Sequence, residues 1–138
     1  MAVVITGVYQ GSLTSEATHE QSGAKLSATA PLDNGGLGNA FSPTDLVATG
    51  LGTCMLTIMG IWAAKHDLTI EGTTFRVEKH MSEDTPRRIV RLPIQFDVRG
   101  NVPAAKRAAM EAAGMKCPVK QSLAGFIDVE VVFNYLES

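Results

Sequence analysis

The sequence predicts a single α+β domain that spans residues 1–138. One long run is apolar all round, as in a buried helix, and several shorter runs alternate between apolar and polar residues, as in half-buried strands. A chain of 138 residues has the size of one domain and can bury a hydrophobic core. The sequence contains no internal repeat and no linker, which favours one domain over two.

The first third of the chain is expected to form short strands. Alternation predicts strands at residues 2–9, about 12–18 and 24–30, with a turn at 21–23 before the third. The glycine-rich segment 33–39 that follows is expected to be a loop. It lacks the Gly-Lys-Ser/Thr ending of a phosphate-binding loop and the spacing of a dinucleotide fingerprint, so no nucleotide site is predicted.

A long helix is predicted over residues 43–66. Ser42 is expected to be its N-cap, Pro43 occupies the first helical position, and Asp45 follows in the manner of a capping box. Lys65 falls in the last turn, where a positive charge complements the helix dipole.

This helix also has to be considered as a membrane span. Residues 46–64 carry no charge and are nearly long enough to cross a bilayer. Glycines and threonines dilute the apolar character of the run, and the segments around it alternate like the strands of a soluble domain. We therefore expect the helix to be buried at the centre of a protein or a dimer, and no membrane is expected as a partner.

The second half of the chain is expected to alternate between strands and short helices. The predicted elements are a hairpin of strands 75–81 and 90–98 joined across 83–86, a helix over 103–113 that stops at Gly114, a helix over 118–124, and a final strand over 127–133.

Composition indicates which classes of partner the protein is expected to have. The formal net charge is −2 and the isoelectric point is near 5.9, so no nucleic-acid partner is expected. Charged residues make up 19% of the chain, below the roughly 25% of an ordinary soluble domain, which indicates apolar surface hidden by self-association. The first residues lack the features of a secretory signal, and the cytoplasm is the expected location.

Cys54 and Cys117 are the only cysteines, and a domain of this size does not need them as a structural disulfide. Pro118 suits the first position of a helix, which would make Cys117 its N-cap. Helix N-termini lower the pKa of a thiol, so Cys117 is expected to be the more acidic cysteine. Cys54 lies in mid-helix and would need a nearby cation to be reactive; alternatively it is a small buried hydrophobic residue.

The histidines do not indicate a metal site. His19, His66 and His80 show no ligand spacing, and the cysteines lack a Cys-x-x-Cys arrangement, so no metal or other cofactor is predicted. A cysteine protease would require a base oriented on the thiol by a third group, and nothing in the sequence indicates one.

The segment from Ser42 through Cys54 to Lys65, the Cys-Pro-x-x-x-x-Leu phrase at Cys117 and the order of the predicted strands resemble the OsmC/Ohr family of osmotically induced and organic-hydroperoxide-resistance proteins. The resemblance covers nearly the whole chain. It implies an OsmC-like fold: an intertwined homodimer in which antiparallel sheets wrap around long central helices, with active sites at the interface. It also implies that Cys54 reacts with peroxide to give a sulfenic acid and that Cys117 resolves it as a disulfide, the opposite order to the one that the helix-dipole argument indicates.

The sequence departs from the pattern of typical organic hydroperoxide reductases in this family. These carry an arginine in the first hairpin and a glutamate directly after the helix-start proline, which together activate the thiolate. Here the hairpin segment 10–13 holds no arginine, and Thr44 follows Pro43, with Asp45 one place later. Asp45 is nine residues from Cys54, about 13 Å along a regular helix and on its opposite side, so it is expected to act as a cap.

Thr44, Asp45 and Arg88 are the candidate activating residues. Arg87, Arg91, Lys116 and Lys120 are further sources of positive charge. Arg87 and Arg88 fall in a predicted turn, where charges usually face water.

Three functions remain open from the sequence. The first is a cysteine-based peroxidase that reduces organic hydroperoxides in oxidative stress defence, recycled by an unidentified thiol reductant. The second is a non-catalytic dimer that binds a small apolar molecule in a cleft lined by Met55, Ile58, Met59 and Trp62. The third is thiol exchange with a protein partner, which would need an exposed Cys117. Replacement of Cys54 by serine distinguishes the first two, because only the peroxidase requires the thiol.

Overall fold

The computed structural model describes residues 1–136, which form eight β-strands, three α-helices and one 3-10 helix. The chain divides into two units, Met1–Val47 and the part from Ala48 onward. This mixture of small sheets with one long helix confirms the predicted α+β class.

The first unit is built on a three-stranded antiparallel sheet. Its strands are β1 (Ile5–Gly11), β2 (Thr14–His19) and β3 (Lys25–Thr29), in the order β1-β2-β3, followed by the 3-10 helix Leu32–Asn34. Neighbouring residues on a strand point to opposite faces. Val8 and Tyr9 are nevertheless 57% and 65% exposed, so side chains on both faces of β1 are exposed in a single chain.

The long helix α1 (Pro43–Lys65) begins where the sequence predicts it and ends one residue earlier. The Asp45 carboxylate accepts a hydrogen bond from the Ser42 backbone N–H at 2.8 Å, and the Ser42 hydroxyl accepts one from the Asp45 backbone N–H at 3.1 Å. This reciprocal pair is the predicted capping box, and it fixes the start of the helix.

In the second unit, α1 buries one stripe of side chains. Apart from the adjacent pair Leu51 and Gly52, the buried positions recur every three or four residues: Ala48, Leu51, Gly52, Met55, Met59 and Ala63. Thr53, Thr57 and Ile61 on the other side are exposed. By length and composition, this is the one helix within residues 1–136 that could cross a membrane, with a mean hydropathy of 1.7 and 33% of its most apolar window buried.

The predicted hairpin forms, but each of its strands is interrupted. The four strands are β4 (Thr74–Val77), β5 (His80–Met81), β6 (Ile89–Arg91) and β7 (Ile94–Val98); β4 pairs with β7 and β5 pairs with β6. Pro93 separates β6 from β7 and has no backbone N–H to donate, so only its carbonyl takes part, accepting from the Glu78 N–H at 3.0 Å.

The remaining elements are the helices α2 (Ala104–Met115) and α3 (Pro118–Leu123) and the strand β8 (Val131–Tyr135). β8 lies parallel to β7 in a mixed sheet of order β4-β7-β8. The other strand pairs are antiparallel, as expected. A parallel pair needs a long crossover connection, and α2 and α3 provide it.

The prediction that the second helix stops at Gly114 is wrong. α2 continues to Met115, and Gly114 is buried within it. A Cβ at Gly114 would lie 2.8 Å from Cγ of Met59. The glycine therefore allows α2 and α1 to approach closely instead of ending the helix.

The core of the second unit lies between α1, the β4-β7-β8 sheet and the two short helices. Its fully buried members include Leu51, Met55, Leu92, Phe96 and Cys117. Cys54 packs against this cluster from its partly buried margin. The fold thus places one cysteine inside the core and the other at its edge.

Candidate active site

The structure brings the two cysteines together. Cys54 projects from the middle of α1 and is partly exposed, whereas Cys117 is fully buried at the start of α3. The two side chains are neighbours in the packing of the core. Burial raises the pKa of Cys117 first, and the adjacent Cys54 side chain raises it further. Both cysteines are free, with no disulfide bond between them.

Cys117 is the N-cap of α3, as the sequence predicts. Its sulfur accepts a hydrogen bond from the Lys120 backbone N–H at 3.3 Å, and Pro118 occupies the first turn. The predicted consequence, a lowered thiol pKa, is wrong. Desolvation of the thiolate raises the pKa of Cys117, and the Lys120 N–H opposes this effect without reversing it.

The pair of thiols differs in access to solvent. Because Cys117 lies inside the core, a small molecule approaching from solvent meets Cys54 first. Because the two sulfurs interact, an oxidised Cys54 would have a thiol partner in reach. Chemically, the arrangement suits oxidation of an accessible thiol followed by closure of a disulfide with the buried one.

Two arginines of the hairpin, Arg88 and Arg91, form ion pairs with carboxylates. Arg88 pairs with Asp84 at 2.8 Å and holds the pKa of that carboxyl below its usual value. Arg91 pairs with Glu130 at 3.0 Å. Among the described residues, those with the largest influence on the Cys117 pKa are Cys54 and the backbone of Lys120 and Val119, and no cationic side chain is among them.

Thr44 and Asp45 lie in the capped first turn of α1. The Thr44 hydroxyl is 3.1 Å from that of Ser42, and Asp45 forms the capping box with the same residue. Through these contacts, both candidate activating residues stabilise the N-terminus of α1.

The chain is similar to known proteins in both sequence and structure. A family model described as "OsmC-like protein" matches residues 36–132, well over half of the chain. The chain belongs to the OsmC family. Comparison of this OsmC-family chain with curated protein sequences gives no significant match.

Solved structures support the assignment to the OsmC family. A proposed osmotic stress induced and detoxification response protein from Psychrobacter arcticus is 38% identical, covers 94% of each chain and superposes with a TM-score of 0.88. An organic hydroperoxide resistance protein from Legionella pneumophila is 19% identical over 97% of each chain, with a TM-score of 0.72. OhrB of Bacillus subtilis is 15% identical over 97% of this chain and 98% of its own, with a TM-score of 0.68. At these lower identities the last two share the fold, and the OsmC family includes organic hydroperoxide resistance proteins.

The sequence of this OsmC-family chain predicts an apolar cleft, and part of the predicted lining is wrong. Met55 and Met59 are fully buried in the core, so they cannot line an open cleft. Ile58 and Trp62 are partly buried, and the Trp62 ring stacks on His66 at 3.9 Å between centroids.

Sequence reasoning identified both cysteines but could not show that they meet. They are 63 positions apart and carry no shared local motif. Their proximity depends on the packing of α3 beside α1, which a single sequence does not report. Gly114 marks the close approach of α2 to α1 a few residues before α3, but in the sequence the same glycine predicts a helix stop.

Proposed function

We propose that this OsmC-family protein is a cysteine-based peroxidase that reduces organic hydroperoxides in oxidative stress defence. Cys54 is the residue that peroxide oxidises and Cys117 is the residue that resolves it. The observation that carries the proposal is the proximity of a partly exposed Cys54 to a fully buried Cys117. The shared fold with organic hydroperoxide resistance proteins supports the same chemistry.

The reaction has two steps within the protein. The Cys54 thiolate attacks the terminal peroxide oxygen, the O–O bond breaks, an S–O bond forms, and the alkoxide leaves as an alcohol after taking up a proton. Cys54 is then a sulfenic acid, oxidised by two electrons. The Cys117 sulfur attacks the sulfur of Cys54, forms the disulfide, and hydroxide leaves as water with the proton that Cys117 gives up. An external thiol reductant returns both thiols.

The environment of Cys117 suits the second role. Burial raises its pKa, so at neutral pH it holds its proton and is a poor nucleophile toward peroxide. Its position inside the core also keeps peroxide away from it. Once Cys54 carries the sulfenic acid, the neighbouring sulfur becomes its nearest thiol, and disulfide closure competes with further oxidation.

Self-association belongs to the proposal. The sheet of the first unit exposes apolar side chains on both faces, among them Ile5, Val8, Tyr9 and Leu26. In the second unit, the exposed side of α1 carries Ile61, 47% exposed, in line with Thr57 and near Cys54. Apolar surfaces of this kind usually face a partner, and we expect a homodimer in the cytoplasm, where cellular reductants keep free thiols reduced. Sedimentation of the reduced protein tests the dimer.

The experiment that tests the peroxidase adds one equivalent of cumene hydroperoxide to the reduced protein. Thiols are then counted and the intact mass is measured. We expect loss of both thiols with a mass decrease of about two hydrogens, as a disulfide requires. Cys54→Ser should retain its remaining thiol, and Cys117→Ser should stop at the sulfenic acid, which dimedone traps.

Survival of both thiols in the wild-type protein, at the rate of the uncatalysed reaction, would contradict the peroxidase. Loss of thiols in Cys54→Ser at the wild-type rate would contradict the assigned order. If both thiols survive, the function supported is the alternative one, binding of a small apolar molecule without chemistry, provided that binding tolerates Cys54→Ser.

A further inference from the structure

The third helix begins at one of the two cysteines. The N-cap of α3 is Cys117, whose sulfur accepts a hydrogen bond from the Lys120 backbone N–H at 3.3 Å. The first N–H groups of a helix have no partner within the helix, so the cap supplies an acceptor that the helix itself lacks. Burial raises the pKa of Cys117, and the backbone hydrogen bonds of Lys120 and Val119 act against it. The sulfur that would close the proposed disulfide is thus the same atom that caps α3.

The first turn of α3 has few other anchors. The helix has six residues, against 23 in α1 and 12 in α2, and none of the six is fully buried. A helix this short is not stable by itself and depends on tertiary contacts. Val119 and Leu123 pack against the margin of the core, and the Gln121 side chain donates to the Met115 carbonyl at 3.4 Å. The capping sulfur is therefore an important part of what holds the first turn.

Closing the disulfide ties the position of the capping sulfur to a different helix. In a disulfide the two sulfurs lie about 2.05 Å apart, with a narrow range for the dihedral angle about the bond. The Cys117 sulfur must then take the position that Cys54 dictates. Cys54 belongs to the middle of the long helix α1, which is held by its buried stripe, so the displacement falls mainly on the Cys117 side.

The first turn of α3 loses its acceptor when this sulfur moves. The Lys120 N–H then has no side-chain partner, and a polar group without a partner inside a protein lowers stability. Water can replace the sulfur as acceptor only if the first turn opens. The next bond in line, from the Gln121 N–H to the Cys117 carbonyl at 3.0 Å, belongs to the same turn and would open with it.

We propose that disulfide formation between Cys54 and Cys117 removes the N-cap of α3 and opens its first turn, so that the oxidised protein differs locally from the reduced protein in residues 117–121. The inference rests on the proposed function only for the disulfide itself, and it adds a conformational consequence to that bond. The form that an external thiol has to reduce then carries a local structural difference that distinguishes it from the reduced form.

This local effect is opposite in direction to the effect of the disulfide on the whole molecule. A disulfide stabilises a protein mainly by restricting the unfolded chain, whereas a lost cap weakens one turn of the folded state. Amide hydrogen exchange separates the two, because it reports local opening at each residue independently of global unfolding. Faster exchange confined to the start of α3 is therefore the expected signature.

The test compares amide exchange of the reduced and the oxidised full chain by NMR. Diamide is the oxidant, so peroxidase activity is not needed: the two thiols lose two protons and two electrons, the S–S bond forms, and diamide is reduced to the hydrazine. We expect the Lys120 and Gln121 amides to exchange about two- to tenfold faster in the disulfide form, the range for loss of a helix N-cap. The amides of α2, which has no side-chain cap, should keep their rates.

Three variants separate the cap from other effects of oxidation. Cys54→Ser keeps the capping sulfur but cannot form the bond, so diamide should leave its α3 exchange unchanged. Cys117→Ala removes the cap without a disulfide and should show the faster exchange in the absence of oxidant. Cys117→Ser places an oxygen acceptor at the cap position and should restore slow exchange, because serine is a favourable N-cap residue.

Unchanged or slower exchange at Lys120 and Gln121 in the disulfide form overturns the inference, and so does equal exchange in Cys117→Ala and Cys117→Ser. Faster exchange across both units also overturns it, because dissociation or general loosening would then be the cause. Failure of diamide to join the two cysteines contradicts both this inference and the assigned cysteine roles. If diamide opens α3 but cumene hydroperoxide leaves both thiols intact, the inference holds and the peroxidase proposal alone is contradicted.

Discussion

At the scale of single residues, the site is governed by the unequal surroundings of two chemically identical side chains. The helix-end argument for Cys117 is correct about the geometry, because the Lys120 N–H does reach the sulfur. It fails on the pKa because burial acts in the opposite direction and is the larger effect. Which cysteine reacts first therefore depends on the core that surrounds Cys117, and a sequence window of a few residues does not contain that information.

The raised pKa of Cys117 predicts how stability depends on pH. In the folded protein the thiol keeps its proton above its ordinary pKa near 9.0, whereas the unfolded chain has lost it there. The unfolded state then binds fewer protons, so the free energy of unfolding falls as pH rises, and the contribution is fully present below the ordinary value. Urea midpoints of reduced protein measured between about pH 8 and pH 10 should fall.

Two variants separate the sources of this slope. Cys117→Ala should reduce the decline relative to wild type. Tyr135→Phe removes a second group whose pKa is raised in the folded protein, because burial and the hydrogen bond to Glu111 raise the Tyr135 pKa. That contribution should appear at higher pH, because the ordinary value for tyrosine is 10.0. A slope that is unchanged in Cys117→Ala would mean that the thiol ionises alike in both states.

Arg88 is a candidate activating residue, but its guanidinium binds groups of the hairpin turn. Its guanidinium donates to Asp84 at 2.8 Å and to the Pro86 carbonyl at 3.0 Å within the hairpin turn. We expect Arg88→Ala to leave the rate of Cys54 oxidation by cumene hydroperoxide unchanged, as measured by stopped-flow thiol loss. A large fall in Arg88→Ala that Arg88→Lys restores would show instead that the charge acts on the thiol.

At the scale of elements, the central helix α1 combines positions that tolerate a side chain with positions that exclude one. Gly52 faces the Phe75 ring, whose centroid lies 6.4 Å from that of Phe96. Gly60 faces open space. Although both glycines lie on one helix, Gly52 leaves no room for a side chain and Gly60 does.

Alanine substitution at these positions should change stability in opposite directions. Gly52→Ala places a methyl group 2.3 Å from the Phe75 ring and should lower the free energy of unfolding by about 1–3 kcal/mol, the usual cost of overpacking. Gly60→Ala should raise it by up to about 1 kcal/mol through helix propensity. Chemical denaturation of both variants at one protein concentration measures this. Equal effects would mean that the ring moves aside at little cost.

Much of this element-scale structure could be predicted from the sequence, where the signal was local. The cap residues at 42–45 predicted the start of α1, and alternation predicted most strands. Local signals failed where packing decides the outcome. Pro93 interrupts the hairpin because it has no backbone N–H to donate to the neighbouring strand. Gly114 lies inside α2, where the lack of a side chain makes room for Met59. In the candidate site, both cysteines and the N-cap were predictable, but the contact between the sulfurs was not.

At the scale of the whole molecule, oxidation would join two distant parts of the chain. Cys54 on α1 and Cys117 at the start of α3 are separated by 63 positions, so their disulfide would close a long loop of the unfolded chain. Restricting a loop of this length lowers the entropy of the unfolded state, which corresponds to about 4 kcal/mol of stability if the folded state takes no strain.

The oxidised protein should therefore unfold at a higher denaturant concentration than the reduced protein. Because Cys117 is buried and already interacts with Cys54, closing the bond should require little rearrangement of the core. Wild-type protein treated with one equivalent of hydroperoxide is compared with the same sample after reduction, with Cys54→Ser and Cys117→Ser as controls that should show no such gain. A lower midpoint for the oxidised form would mean that the disulfide strains the fold. In that case the strain would make the disulfide easier for the external thiol to reduce.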